Sequence, residues 1–243
     1  MFRAFQNSLL NLISPQACHV CSNEIEDHRD GAACSRCWAA TRIFYGSEIL
    51  CDKCGAFFGA GSTSTPVFCH KCDDHQYEKA IAIGIYEKAL ASSVIELKTS
   101  PVLPHRLKRL IERVLERAEF SNITLIIPVP LSPKRKIERG FNQAEAIARV
   151  ASDGLRVPVD AVSLERKLHS PLHRIGMDQR ARELTVQKAF EVRRPKLIQG
   201  RDILLVDDVF TSGSTASHCA ASLRRNGAKR VKVFTLARAV MHS

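Results

Sequence analysis

From residue 79 onward, apolar and polar positions switch repeatedly between two periods. "KAIAIGIYEK" (79–88) reads as a strand, and "ALASSVIELK" behind it has helical spacing. "PHRLKRLIERVLERAEF" (104–120) is an amphipathic basic helix with its apolar stripe at Leu107, Leu110, Ile111, Val114 and Leu115. "ITLIIPVP" (123–130) is a buried strand, and "RGFNQAEAIARVASDG" (139–154) a helix that the spacing ends at Gly154. "AVSLERK" (161–167) and "RDILLVDDV" (201–209) read as strands, "TASHCAASLRRNG" (215–227) as a helix, and "RVKVFTLAR" (230–238) as the last strand. Residues 168–188 are polar and basic, without a clear period. Alternation of this kind predicts an α/β fold, a parallel sheet with flanking helices. Near-continuous Ile/Leu/Val runs fit strands covered on both faces.

Before residue 79 the periodicity fails and cysteine takes over. The start, "MFRAFQNSLLNLISPQAC", reads as a short amphipathic helix. Eight of the nine cysteines then follow in four C-x-x-C pairs: Cys18/Cys21, Cys34/Cys37, Cys51/Cys54 and Cys69/Cys72. Paired knuckles at this spacing present four thiolates to one tetrahedral zinc, so about two structural zinc ions are expected. A disulfide framework needs an oxidising compartment, redox chemistry needs a single C-x-x-C at a strand–helix junction, and c-type haem needs a His after the second Cys. None of these fits. Sequential sites (Cys18, Cys21, Cys34, Cys37, then Cys51, Cys54, Cys69, Cys72) suit local ribbons, while an interleaved brace would use the same residues differently. A segment this poor in large apolar side chains needs metal to fold. The expected division is 1–78, an N-terminal helix and double zinc ribbon, and 79–243, the α/β domain.

Charge follows the same boundary. Residues 1–78 hold six Lys and Arg against nine Asp and Glu, and residues 79–243 hold thirty against sixteen. The basic excess of the later part fits an anionic partner, a polyphosphate or a nucleic acid. No apolar run spans a bilayer and the start lacks the features of an export signal, so a cytoplasmic protein without membrane insertion is expected.

The chemistry concentrates in "ILLVDDVFTSGSTA" (203–216). Ligands of an open parallel sheet bind beyond the carboxyl ends of the strands. Asp207 and Asp208 stand at such an end. Thr211, Ser212, Gly213, Ser214 and Thr215 follow, entering a helix whose N-terminal N–H groups and dipole suit a phosphate. Carboxylates repel phosphate, so they must face sugar hydroxyls or a divalent cation. A ribose 5-phosphate satisfies both ends.

These residues resemble the 5-phosphoribosyl-1-pyrophosphate (PRPP) motif of type I phosphoribosyltransferases. With "IIPVPLSPKRKIERGFNQAEAIA" and the four knuckles upstream, the chain is similar to the ComF family from Cys18 to about Arg238. The resemblance implies a type I phosphoribosyltransferase-like parallel sheet behind a zinc-ribbon module, in a family linked to DNA uptake. It implies that Asp207 and Asp208 hold the ribose hydroxyls, directly or through Mg2+, and that residues 211–215 wrap the 5-phosphate. The turn from Pro130 to Lys136 would approach the pyrophosphate, with Lys134, Arg135, Lys136 and Arg139 supplying positive charge there. Residues 168–188 would form a mobile loop with Arg182, and less strongly Arg174, as catalytic cations; Leu172 and Thr185 stand where the resemblance expects Gln and Asn. Asn142 and Gln143 read equally as helix-end polar residues or as part of the site, and Cys219 as a packed residue. Three functions are compatible: a phosphoribosyltransferase acting on a nitrogen nucleophile, a silent PRPP-binding sensor or assembly factor, and a protein that handles single-stranded DNA in uptake or recombination.

Overall fold

The computed structural model describes residues 15–167 and 189–240. The cysteine-rich segment forms one short helix, α1 (Ser35–Ala39), and an antiparallel pair, β1 (Glu48–Leu50) with β2 (Phe57–Ala60). After it come β3 (Lys79–Ile85), α2 (Lys88–Glu96), α3 (His105–Leu115), β4 (Leu125–Pro128), α4 (Pro133–Arg139), α5 (Gln143–Leu155), β5 (Leu164–Arg166), β6 (Phe190–Val192), α6 (Pro195–Ile198), β7 (Asp202–Phe210), α7 (Ser214–Arg225) and β8 (Arg230–Arg238). The central sheet is parallel and four-stranded in the order β3-β8-β7-β4. This is the α/β class that the alternation predicts.

The two-residue period of the strands divides the core. Leu204, Val206, Phe234 and Leu236 point to one face and pack with Leu107, Ile111 and Val114 of α3 and Ile147 of α5. Ile203, Leu205, Val231 and Val233 point to the other, against Cys219 and Leu223 of α7. All five apolar positions of the α3 stripe are buried, each contributing about 1.5–3 kcal/mol. Cys18, Cys34, Cys37 and Trp38 join the first of these clusters, and Cys51, Cys54, Cys72 and Tyr77 the second. The cysteine-rich segment also lies along the edge of β3: the Phe44 N–H donates to the Ile83 carbonyl and the Ile85 N–H to that of Arg42. Gly84 permits the approach, because a Cβ there would sit 2.2 Å from the Arg42 oxygen.

Three local readings need correction. The strand at 161–167 shrinks to β5 and leaves the parallel sheet, pairing antiparallel with β6 instead; only a bridge at Val159 reaches β4. The α5 helix runs past Gly154 to Leu155, with Arg156 as its left-handed cap at φ 55°. Pro158 sets this end, since the residue before a proline disfavours helix. The turn expected at Pro130 to Lys136 gives way to α4 from Pro133 onward, with Ser132 as N-cap and Pro133 in the first turn. The N-terminal helix and the segment carrying Arg174 and Arg182 lie outside the described residues. Among the described residues no helix is long and apolar enough to cross a membrane.

Candidate functional site

The eight paired cysteines gather into two sequential tetrads, Cys18/Cys21/Cys34/Cys37 and Cys51/Cys54/Cys69/Cys72, with the sulfurs of each within 4.8 Å of one another. Sulfur–sulfur distances of 3.7 Å (Cys21–Cys34 and Cys51–Cys72) and 3.4 Å (Cys54–Cys69) approach the edge of about 3.8 Å that a tetrahedron with Zn–S near 2.3 Å requires. Backbone N–H groups of Val20 and Cys34 point at the Cys18 sulfur, and those of Cys54 and Cys69 at the Cys51 sulfur. Burial opposes ionisation of Cys18, but these N–H donors prevail and bring its pKa down to about 6. The donor set fits structural zinc. Elemental analysis of protein prepared without chelator should give about two zinc ions per chain; a folded protein near zero would remove the ribbon reading.

In the parallel sheet, β7 carries Asp207 and Asp208 to the carboxyl edge, between β4 and β8. Asp207 Oδ1 accepts from the Asp208 N–H at 2.9 Å, and Asp208 Oδ1 from the Val209 N–H at 2.7 Å. Gln143 Nε2 donates to Asp208 Oδ2 at 3.1 Å, and Gln143 Oε1 accepts from Arg139 at 3.0 Å. Burial, and next the Asp208 carboxylate, push the Asp207 pKa up to about 8; Arg166 counters weakly. Both acids face a cavity of about 380 Å³, which Thr211, Thr215, Arg135 and Arg139 also line.

The loop after β7 turns on Gly213, which caps α7 at φ 82°. No other residue fits: a Cβ would lie 2.5 Å from the Phe210 ring and 2.7 Å from His75. The first-turn N–H groups of α7 have no acceptor within the helix and open toward the loop. The loop is braced from behind by the second tetrad. The Gln76 N–H donates to Ser217 Oγ at 3.1 Å, and Tyr77 meets Phe210 edge-on with centroids 5.9 Å apart. Arg238, buried at the end of β8, donates to the carbonyl and sulfur of Cys54 and lies 4.5 Å over the Phe210 ring.

The cations named from sequence separate. Arg135 and Arg139 line the cavity. Lys136 lines an adjoining cavity of about 220 Å³ that shares Pro130, Leu131 and Arg166 with the first. Lys134 faces out and pairs with Glu138 at 3.8 Å, because a helix, unlike a turn, cannot aim four nearby side chains one way. Ser212, Gly213 and Ser214 shape the loop without lining the cavity. Lys98 and Arg166 do line it and carried no motif in the sequence. Asn142 caps α5, accepting from the Ala144 N–H at 3.1 Å, and also lines the adjoining cavity, whereas Gln143 bonds Asp208 and lines the first. Cys219 is packed and fully buried.

Residues 9–75 match the double zinc ribbon domain family. The DNA utilization protein YhgH of Shigella flexneri is 29% identical over 93% of this chain and 99% of its own. Competence protein F of Haemophilus influenzae is 27% identical over 91% and 96%. Among solved structures, the glutamine PRPP amidotransferase of B. subtilis aligns with a TM-score of 0.38 and 19% identity over 55% of this chain, which spans 27% of that one. Two cysteine tetrads ahead of a parallel sheet with an acid pair at its carboxyl edge define a double-zinc-ribbon protein with an α/β domain. Along most of its length the chain is similar to the competence protein F and DNA utilization proteins.

Proposed function

We propose that the cavity at the end of β7 binds PRPP with Mg2+ and that the protein transfers the phosphoribosyl group to a nitrogen nucleophile, releasing pyrophosphate. Relatives named DNA utilization protein and competence protein F support a role for this activity in DNA utilization and competence. The observation that carries the reading is an acid pair that lines one cavity at the carboxyl edge of the sheet. Burial and then the Asp208 carboxylate push the Asp207 pKa up to about 8. A fold gains nothing from that arrangement, and strongly perturbed carboxylates in a cavity are candidates for ligand contact.

The chain's own residues divide the ligand. Asp207 and Asp208 accept from the two ribose hydroxyls, with Gln143 holding Asp208 in place. The α7 N-terminus and the Thr211 and Thr215 hydroxyls take the 5-phosphate. Arg135 and Arg139, with Lys98 across the cavity, face the leaving pyrophosphate. Mg2+ enters on the pyrophosphate as part of the substrate. As the C1–O bond lengthens, charge grows on the leaving group, and preorganised guanidinium groups stabilise it more than they stabilise the ground state. The adjoining cavity, with Arg166 at the boundary, is the space for an acceptor.

Titration calorimetry with Mg-PRPP, followed by assay of pyrophosphate release with nucleobases, tests the reading. The pH dependence gives it a signature. An acid that accepts hydroxyl bonds must be ionised, so binding should strengthen about tenfold from pH 7 to 9 and level off above the Asp207 pKa. The 5-phosphate is already ionised over this range, its second pKa being near 6. Absence of PRPP binding, or affinity independent of pH, would count against the assignment. Binding without turnover would leave a PRPP sensor.

A further inference from the structure

The cavity of about 220 Å³ meets the PRPP cavity along Pro130, Leu131 and Arg166. The rest of its lining mixes apolar and charged side chains. Pro133, Val162 and Leu164 are apolar, and Val162 stands 50% exposed. Lys136 and Glu145 bring charge. The space falls below the roughly 300 Å³ at which pockets for drug-sized ligands begin. It suits one small flat ring.

Most polar groups of this lining are already engaged. Asn142 Oδ1 accepts from the Ala144 N–H, and Asn142 Nδ2 donates to the Val129 carbonyl at 3.0 Å. Glu165 pairs with Arg193 at 2.7 Å. Arg166 lies 5.5 Å over the Phe190 ring. Glu145 is the exception. It occupies the third position of α5, counted from the cap Asn142, where an acid ordinarily bonds back to the cap N–H. Among the described residues the carboxylate of half-buried Glu145 has neither that bond nor an ion pair. An acid in the first turn suits the helix dipole, but the dipole does not call for one in a recess walled by proline, valine and leucine.

We infer that this recess takes a planar nitrogen heterocycle bearing a carbonyl and two adjacent N–H donors, and that Glu145 accepts from both donors. The inference rests on the phosphoribosyl reading of the first cavity and names the acceptor class for it. An ionised carboxylate is acceptor-only and receives two parallel N–H bonds in one plane. Lys136 and Arg166 offer donors to the ring carbonyl, and the apolar walls cover the ring faces. An alkylammonium acceptor would meet Glu145 but be repelled by the two cations. The ring nitrogen nearest the shared wall forms the bond to C1, the C1–O electron pair leaves on pyrophosphate, and the proton of that nitrogen passes to water.

Titration calorimetry on the full-length zinc-loaded protein tests this, with ribose 5-phosphate filling the first cavity. That ligand has no pyrophosphate to lose, so binding is read without reaction. Isocytosine carries the two adjacent N–H donors beside a carbonyl, and pyrimidinone is the same ring without the amino group. Isocytosine should bind about tenfold or more tightly than pyrimidinone, since the amino group gives the carboxylate its second bond. Glu145→Gln replaces two acceptors by one acceptor and one donor, and should cut the preference to within about twofold. Glu145→Ala should do the same, and ribose 5-phosphate affinity should stay close to wild type in both. Equal binding of the two rings by the wild type, or a preference that survives both variants, would overturn the inference; ribose 5-phosphate binding in the same protein would leave the phosphoribosyl reading standing. Discrimination that depends on Glu145 in a protein that does not bind ribose 5-phosphate would keep the ring site and sink that reading instead. A protein that binds neither ring nor sugar phosphate would overturn both.

Discussion

Replacing Asp207 and Asp208 together by Asn is expected to lower Mg-PRPP affinity about a hundredfold or more, while the variant melts at or above the wild-type temperature at pH 8 to 9. The two halves of this expectation have one source. Each carboxylate gives a charged acceptor to a ribose hydroxyl, and such bonds are worth about 1.5–3 kcal/mol apiece. Asn keeps the shape and an acceptor oxygen, so the bonds from the Asp208 and Val209 N–H groups survive, but the charge that favours the diol is gone. The stability half follows from the sign of the pKa shift. In the native state Asp207 titrates near 8, raised by burial and by Asp208, against about 3.9 unfolded. The stability linked to this group is therefore full below the unfolded value and is lost as pH rises toward 8. Asn does not titrate and loses nothing, so its advantage grows over that window. Calorimetric titration and thermal melts at pH 5 and 9 check both halves. Retained affinity would remove the acids from the site; a melt lowered equally at both pH values would make them structural. Asp207→Asn alone serves if the double variant fails to fold.

The sequence made the elements with strong periodicity legible. The five-residue apolar stripe of α3 and the continuous runs of β4, β7 and β8 stand where the pattern puts them, because helix and strand periods differ enough to separate them locally. The tetrads were legible for the same reason: ligand spacing is a local property. What failed was what depends on distant neighbours. Strand β5 reads as a sheet member, yet its pairing partner β6 carries only three residues and no distinct signal. The four cations between 134 and 139 look equivalent as letters, and helical geometry alone separates Arg135 and Arg139 from Lys134. Lys98 and Arg166 reach the cavity from separate elements, so no motif joins them to the acids. The role of Gln143 is similar: its letter fits a helix start, and only its bond to Asp208 places it in the site. Nor does the segment before residue 79 announce that its first tetrad packs into the core on one face of the sheet and its second into the core on the other.

That last asymmetry leads to an expected difference between the two zinc sites. Cys54→Ser should remove one zinc per chain and most of the Mg-PRPP affinity with it, whereas Cys21→Ser should remove one zinc and leave the affinity of the remaining folded protein within a few-fold of wild type. The second tetrad stands directly behind the loop between β7 and α7, where the proposed 5-phosphate would sit. Arg238 joins the Cys54 sulfur to the Phe210 ring, Phe210 packs against Gly213, and Gln76, four residues past Cys72, holds Ser217 of α7. A zinc with four thiolates carries two net negative charges, which makes it the counter-charge for the buried Arg238 guanidinium. Without it that guanidinium is an unpaired buried ion, and leaving such a charge unpaired costs about 3–5 kcal/mol. The cheapest relief is for Arg238 to swing toward water, which takes the support from under Phe210 and lets the loop relax from the geometry that Gly213 sets. The first tetrad has no such link, since its sulfurs face the α3 side of the sheet. Arg238→Met separates this account from general destabilisation, because it removes the link while keeping the sulfurs: zinc should stay near two per chain and Mg-PRPP affinity should fall about tenfold. Equal losses of affinity from the two cysteine variants, with Arg238→Met binding as the wild type, would mean that zinc supports only the fold as a whole and that the phosphate loop holds its shape without help from the ribbon.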